Sequence, residues 1–283
     1  MIQKIPAEHT AGDTCPRVPT LQGMFYPADA SGLRSLIDSF FHATAASVSN
    51  PAGILVPHAG YIYSGKTAAL SYARVSPAFD KTFVIIGTGH QGYPTAFSDF
   101  SWETPLGPVE PDKEFAEALA AYLPKNNAVL RRQENSLEVQ MPFIRYRFPQ
   151  AKVLPVLIGD QSEAGAHAVA EAVISAAEDL KKTAGKDFIV VASGDCSHYV
   201  PAEKAENDDL TVLSAVKNLD VRRFYAELSR ICPSMCGYGC IAAMAEIGKH
   251  FGAKEARTLL YTTSGDVTGD MREVVGYAAM EVI

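Results

Sequence analysis

The sequence predicts an α/β fold. Two observations carry this: short β-branched apolar runs alternate along the chain with helical stretches, and four of those runs are almost continuously apolar. Strands covered on both faces read in that way. The expected strands are Ile54–Val56, Thr82–Ile86, Val153–Leu157, Phe188–Ala192, Thr258–Thr262 and Val274–Met280. Ser31 is placed to cap a first helix, on which Leu33, Leu36, Ile37, Phe40 and Phe41 form one apolar stripe. Asp112 begins another, carrying Phe115, Leu119 and Leu123. A third runs from about Glu163 to Lys182, with acid early and Lys181 and Lys182 late, as the helix dipole favours. Two more are expected at Asp208–Lys217 and Val221–Arg230, and a last from Gly239 to Gly252. Gly92–Pro111 has prolines, the single Trp and no helical period, and is expected to be a long loop or irregular hairpin. Residues 1–16 are polar and aperiodic and are expected to form a flexible arm ahead of one domain over 17–283, with no hinge.

Composition narrows the function. Net charge is −7, which argues against nucleic acid or an anionic membrane as partner. No apolar run approaches the roughly 18 residues of a membrane span. The first residues hold no apolar signal-peptide core, and five cysteines are sparse and odd in number. Reduced thiols in a cytoplasmic protein are the expectation.

The polar residues cluster after the strands. Pro57-His58-Ala59-Gly60 follows the first, Gly87-Thr88-Gly89-His90 the second, Ser193-Gly194-Asp195-Cys196-Ser197-His198 the fourth, and Ser264-Gly265-Asp266 the fifth. Ligands of open α/β sheets bind beyond the carboxyl ends of strands, so His58, His90, His198, Asp195 and Asp266 are aimed at one edge. Singly, each histidine reads as a hydrogen-bonded loop residue; three on one edge read as a site. The Asp195-x-x-His198 spacing permits the carboxylate to orient the imidazole, while a plain capping role for Asp195 stays open. Gly87–Gly92 fits the dinucleotide pattern G-x-G-x-x-G, but Tyr93-Pro94 follows where a helix must open, so the match is read as accidental. Cys240 reads as a small core residue. Cys236 precedes a helix start, where the dipole favours thiolate, and is a candidate ligand or nucleophile. A cysteine hydrolase built from Cys236 or Cys196 with His198 and Asp195 has the residue types but no nucleophile-elbow signature.

Several motifs in order resemble one family: PHAGYIYSGKTAA (57–69), IIGTGHQG (85–92), WETPLGPVEPD (102–112), ENSLEVQMPF (134–143), VLPVLIGD (153–160), ASGDCSHY (192–199), MCGYGC (235–240) and VVGYAAM (274–280). Together they resemble the Memo family, whose bacterial and archaeal members are called AmmeMemoRadiSam system protein B. The resemblance implies a mixed, mostly parallel sheet flanked by helices, like the class III extradiol non-haem iron dioxygenases. It implies metal ligation by His58, His90 and Cys236, with Asp195 and His198 as the acid/base turn. It implies Fe(II) or copper as cofactor, with zinc as an alternative, an unidentified small-molecule or peptide ligand, and a pathway link to a radical SAM protein and an AMME-type protein. Thiolate in place of a dioxygenase carboxylate shifts preference toward Cu(I) and Zn. The resulting expectation is a metal-binding, redox-type protein with a dioxygenase-like cleft, and the competing one a peptide- or anion-binding module without turnover. The E-H-S-x-E of many members reads Glu134-Asn135-Ser136-Leu137-Glu138 here, with Asn in place of His; the two glutamates are spaced to share a helix face, and read either as cleft residues or as a cap and a solvated carboxylate.

Overall fold

The computed structural model describes residues 15–283, so most of the expected arm lies outside the described residues. One sheet organises the chain. Helix α1 (Ala30–His42) leads into strand β1 (Gly53–Val56) and helix α2 (Tyr61–Ala73). Strands β2 (Thr82–Thr88) and β3 (Ala96–Phe97) precede four helices: α3 (Lys113–Leu119), α4 (Asn127–Leu130), α5 (Asn135–Glu138) and α6 (Gln140–Arg147). Then come β4 (Lys152–Ile158), α7 (Glu163–Asp179), β5 (Phe188–Ser193) and β6 (His198–Val200). The chain closes with α8 (Ala202–Ala215), α9 (Val221–Ile231), α10 (Tyr238–His250), β7 (Ala256–Thr263), α11 (Gly265–Thr268) and β8 (Val274–Val282).

The strand order is β3-β4-β2-β5-β1-β8-β6, with β7 also paired to β8. Strands β4, β2, β5 and β1 are parallel, and β3, β8 and β6 join antiparallel, so the sheet is mixed and mostly parallel at its centre. Alternate side chains of each central strand feed different cores. Phe83, Ile85, Ile189 and Val191 pack under α1, α2 and α6. Val84, Ile86, Val190 and Ala192 pack under α3, α7 and α10. Burial on both faces is why these strands read as unbroken apolar runs.

The expected strands all form, each within two residues of its expected ends. The helices differ in instructive ways. Asp29, not Ser31, caps α1, its carboxylate accepting from Gly32 N–H. Helix α7 stops at Asp179, and Lys181 lies beyond it with φ of 55°, so the two lysines do not serve its dipole. Lys182 instead bonds Asp112, which caps α3 as expected. Helix α8 begins at Ala202, six residues before the expected Asp208. Helix α2 has no counterpart in the sequence reading: its small residues are buried around most of the circumference and leave no clear apolar stripe. Residues 92–111 are irregular as expected, apart from β3 and a few isolated bridges, Trp102–Val109 and Pro111–Val153 among them. No helix opens after Gly89, which removes the dinucleotide pattern.

Candidate metal centre

The parallel strands carry their carboxyl ends to one edge, and that edge gathers His58 from the end of β1, His90 from the end of β2 and Asp195 from the end of β5. Cys236 arrives from the loop before α10. It is seated by a backbone contact that two glycines allow: a Cβ on Gly237 would lie 2.6 Å from Gly194 Cα, and Gly237 has φ of 78°. The donor atoms of His58, His90 and Cys236 then lie within 4.8 Å of one another.

Each imidazole is held at Nδ1. Ser193 Oγ donates to Ser136 O, so at 3.2 Å it accepts from His58 Nδ1–H. Glu134 Oε1 accepts from His90 Nδ1–H at 2.8 Å and its other oxygen from His90 N–H at 3.0 Å. Ser234 O accepts from His198 Nδ1–H at 2.7 Å. The Nε2 lone pairs are thereby left without a proton. Nε2 of His58 is 3.1 Å from Cys236 Sγ, and Nε2 of His198 is 4.0 Å from it. The His58 and His90 rings meet edge to face, 5.0 Å between centroids.

The two histidines are tuned in opposite senses. Burial, then the neighbouring His90, pushes His58 down to about 3, so it is uncharged at neutral pH. Burial opposes charge on His90 too, but the Glu134 hydrogen bond and charge outweigh it and raise its pKa. Burial raises Asp195 above the usual carboxylate range. Burial and the Asp195 charge raise the Cys236 thiol well above its ordinary value. The helix-start argument for a thiolate therefore fails in the protein alone: desolvation outweighs the dipole. A cation reverses the balance, since thiol deprotonation and metal binding are one event. Two imidazoles and a thiol whose donor atoms converge fit a metal ion.

The Asp195–His198 pair is close but not bonded as the spacing suggested. Asp195 accepts from His58 N–H at 2.7 Å, and Ser234 orients His198. Asp195, His198 and Cys236 still have donor atoms within 4.8 Å of one another. Glu134 and Glu138 do not share a face. Glu134 caps α5 from outside it and turns to His90. Glu138 is buried against Arg17 at 2.7 Å, and also accepts from Tyr26 Oη, so it is spent in the core. Asn135 donates to His58 O at 3.1 Å. Asp266 caps its own turn through Thr263 N–H and stands apart from the centre's hydrogen bonds. Cys240 is buried on α10 with Thr88 Oγ1 3.6 Å away, the core role expected. The sequence reading did not single out Ser193, Ser234 and Gln140, which donates to Ser193 Oγ and Pro57 O. The first is the residue ending β5, the one signal that pointed to it.

An α/β sheet with a two-histidine, one-cysteine group at its carboxyl edge defines a candidate metalloprotein of dioxygenase-like architecture. The family described as Memo-like protein matches residues 17–281. A MEMO1 family protein of Methanococcoides burtonii is 43% identical over 94% of this chain and 99% of the relative. One of Archaeoglobus fulgidus is 39% identical over 93% of this chain and 98% of the relative. One of Methanobrevibacter smithii is 35% identical over 93% and 98%. The chain belongs to the Memo family. Among the described residues no helix is long and apolar enough to cross a membrane.

Proposed function

We propose that this is a metal-dependent redox protein whose cleft holds one ion on His58, His90 and Cys236. The observation that carries the reading is the convergence of these three donors, with each histidine holding its proton at Nδ1 so that Nε2 carries a lone pair. Fe(II) or copper bound there would supply one-electron chemistry and a place for oxygen, whereas zinc would act only as a Lewis acid. A thiolate among the donors favours copper(I) or zinc over Fe(II). Three protein ligands leave an open position, the mark of a reactive rather than structural site.

The remaining roles fall to this chain's own groups. Ser193 and Glu134 fix ring orientation. Asp195 holds the His58 main chain, which places the ring relative to Cys236. His198 presents Nε2 beside the thiol and is the group placed to move a proton to or from a bound ligand. That ligand is a small molecule or peptide, in a pathway shared with a radical SAM protein and an AMME-type protein.

The test is metal stoichiometry and dissociation constant for protein purified reduced and without oxygen. Wild type should hold one ion per chain. His58→Ala, His90→Ala and Cys236→Ser should lose it, and His198→Ala should keep it. Equal binding by all five proteins would sink the assignment. Loss in the histidine variants alone would make Asp195 the third ligand, because Glu138 is committed to Arg17.

A further inference from the structure

We infer that Asp209, on α8, is a positioning residue that fixes where His198 stands against Cys236. The inference rests on the reading of His198 as the proton-moving group. Asp209 is fully buried, and its hydrogen-bond partners are neutral donors. Its carboxylate accepts from Ser197 N–H at 3.0 Å, from Ser197 Oγ at 2.7 Å and from Tyr261 Oη at 2.6 Å. A buried carboxylate without a cation is a costly way to stabilise a core, and Asp is a poor residue inside a helix. Its position is explained by what it grips: the residue directly before His198.

The turn it grips touches two of the three candidate ligands. Asp195 Oδ1 accepts from His58 N–H at 2.7 Å, and Cys236 Sγ lies 3.8 Å from Asp195 O and 4.0 Å from His198 Nε2. From behind, β8 braces the same turn. Cys196 N–H donates to Gly276 O, and Gly276 N–H to Ser197 O, both at 2.8 Å. The approach is close: a Cβ on Gly276 would lie 2.3 Å from Tyr261 Oη and 2.6 Å from Asp209 Oδ2 and would displace them. On its far side, Ser234 bonds His198 N–H at 2.6 Å and its ring. His198 therefore stands between two clamps. Loosening the Asp209 clamp leaves the ring tied through Ser234 alone, in the loop between α9 and α10.

The experiment reads the thiol that His198 faces and needs no metal. Full-length protein in EDTA is alkylated with iodoacetamide, and the rate at Cys236 is followed by peptide mass spectrometry, which separates it from exposed Cys15 and Cys232. An imidazole held near the sulfur assists thiolate formation. Asp209→Asn should slow alkylation at least about threefold in the wild-type background, the scale of coupling between groups in one network. In His198→Ala it should cause no further slowing, because the group it acts through is gone. An unchanged rate in Asp209→Asn, or slowing of equal size in both backgrounds, would overturn the inference. Ser197→Ala repeats the cycle with the carboxylate retained, and decides the matter if Asp209→Asn does not fold. Cobalt(II) binding is measured separately on the same proteins. Wild type that binds no cobalt would defeat the metal reading and leave the alkylation cycle standing.

Discussion

Glu134 makes two hydrogen bonds to His90, one to its ring and one to its main chain, and a third to Ser136 N–H at the start of α5. Burial raises its pKa, but these bonds more than offset that and hold it below the usual glutamate value. It is thus an ionised acceptor at neutral pH, which locks the His90 proton on Nδ1. Glu134→Gln keeps the shape but turns a carboxylate into an amide, so the tautomer is no longer enforced. Loss of such an outer partner costs about 10- to 100-fold in metal affinity. Zinc competition titration should show that loss, with the unfolding midpoint nearly unmoved. Affinity within a factor of two of wild type would make Glu134 merely a helix cap.

Asp112 shows what a single side chain does for an element far from the centre. It caps α3 through Phe115 N–H, accepts from Thr82 Oγ1, and pairs with Lys182 at 3.0 Å, so it ties α3, β2 and the segment after α7 together at the amino edge of the parallel strands. Asp112→Ala should lower stability by about 2 kcal/mol, of which a cap alone is about 1. Urea midpoints should fall while metal affinity is unchanged, because His58, His90 and Cys236 occupy the opposite edge. Elements of this kind were legible from sequence where a local signal existed: the Asp112 cap and the runs of β2 and β5 were found almost to the residue. Helix α2 was not, since its buried face is assembled from Ser64, Gly65, Thr67, Ala68 and Ala69, which carry no hydrophobic period. The candidate site was legible for the same reason as the strands, its histidines following apolar runs. Its clamps were not: Ser234 and Asp209 reach it from distant segments, and only the fold brings them in.

At the scale of the whole molecule, the centre should leave its mark on the pH dependence of stability. Burial moves His58 down from 6.5 to about 3 and moves Asp195 up from 3.8, so the two are displaced in opposite senses. Between about pH 4 and 6.5 the unfolded chain carries a protonated His58 and an ionised Asp195. The folded chain holds the imidazole neutral and favours the protonated carboxyl. For His58 alone, the unfolded state binds the proton first, so stability present above pH 6.5 is lost as pH falls. For Asp195 alone, the folded state binds it first, so stability is gained over the same fall. Together the proton counts nearly match, and these two groups should leave wild type almost flat through that window. Removing one partner exposes the other. In EDTA, Asp195→Asn should lose stability as pH falls from 6.5 toward 4, and His58→Asn should gain relative to wild type. Each slope should approach about 1.4 kcal/mol per pH unit, the value for one proton. Urea unfolding at four pH values for the three proteins checks this. Parallel curves would mean that water reaches the centre and that neither group is as desolvated as its burial implies.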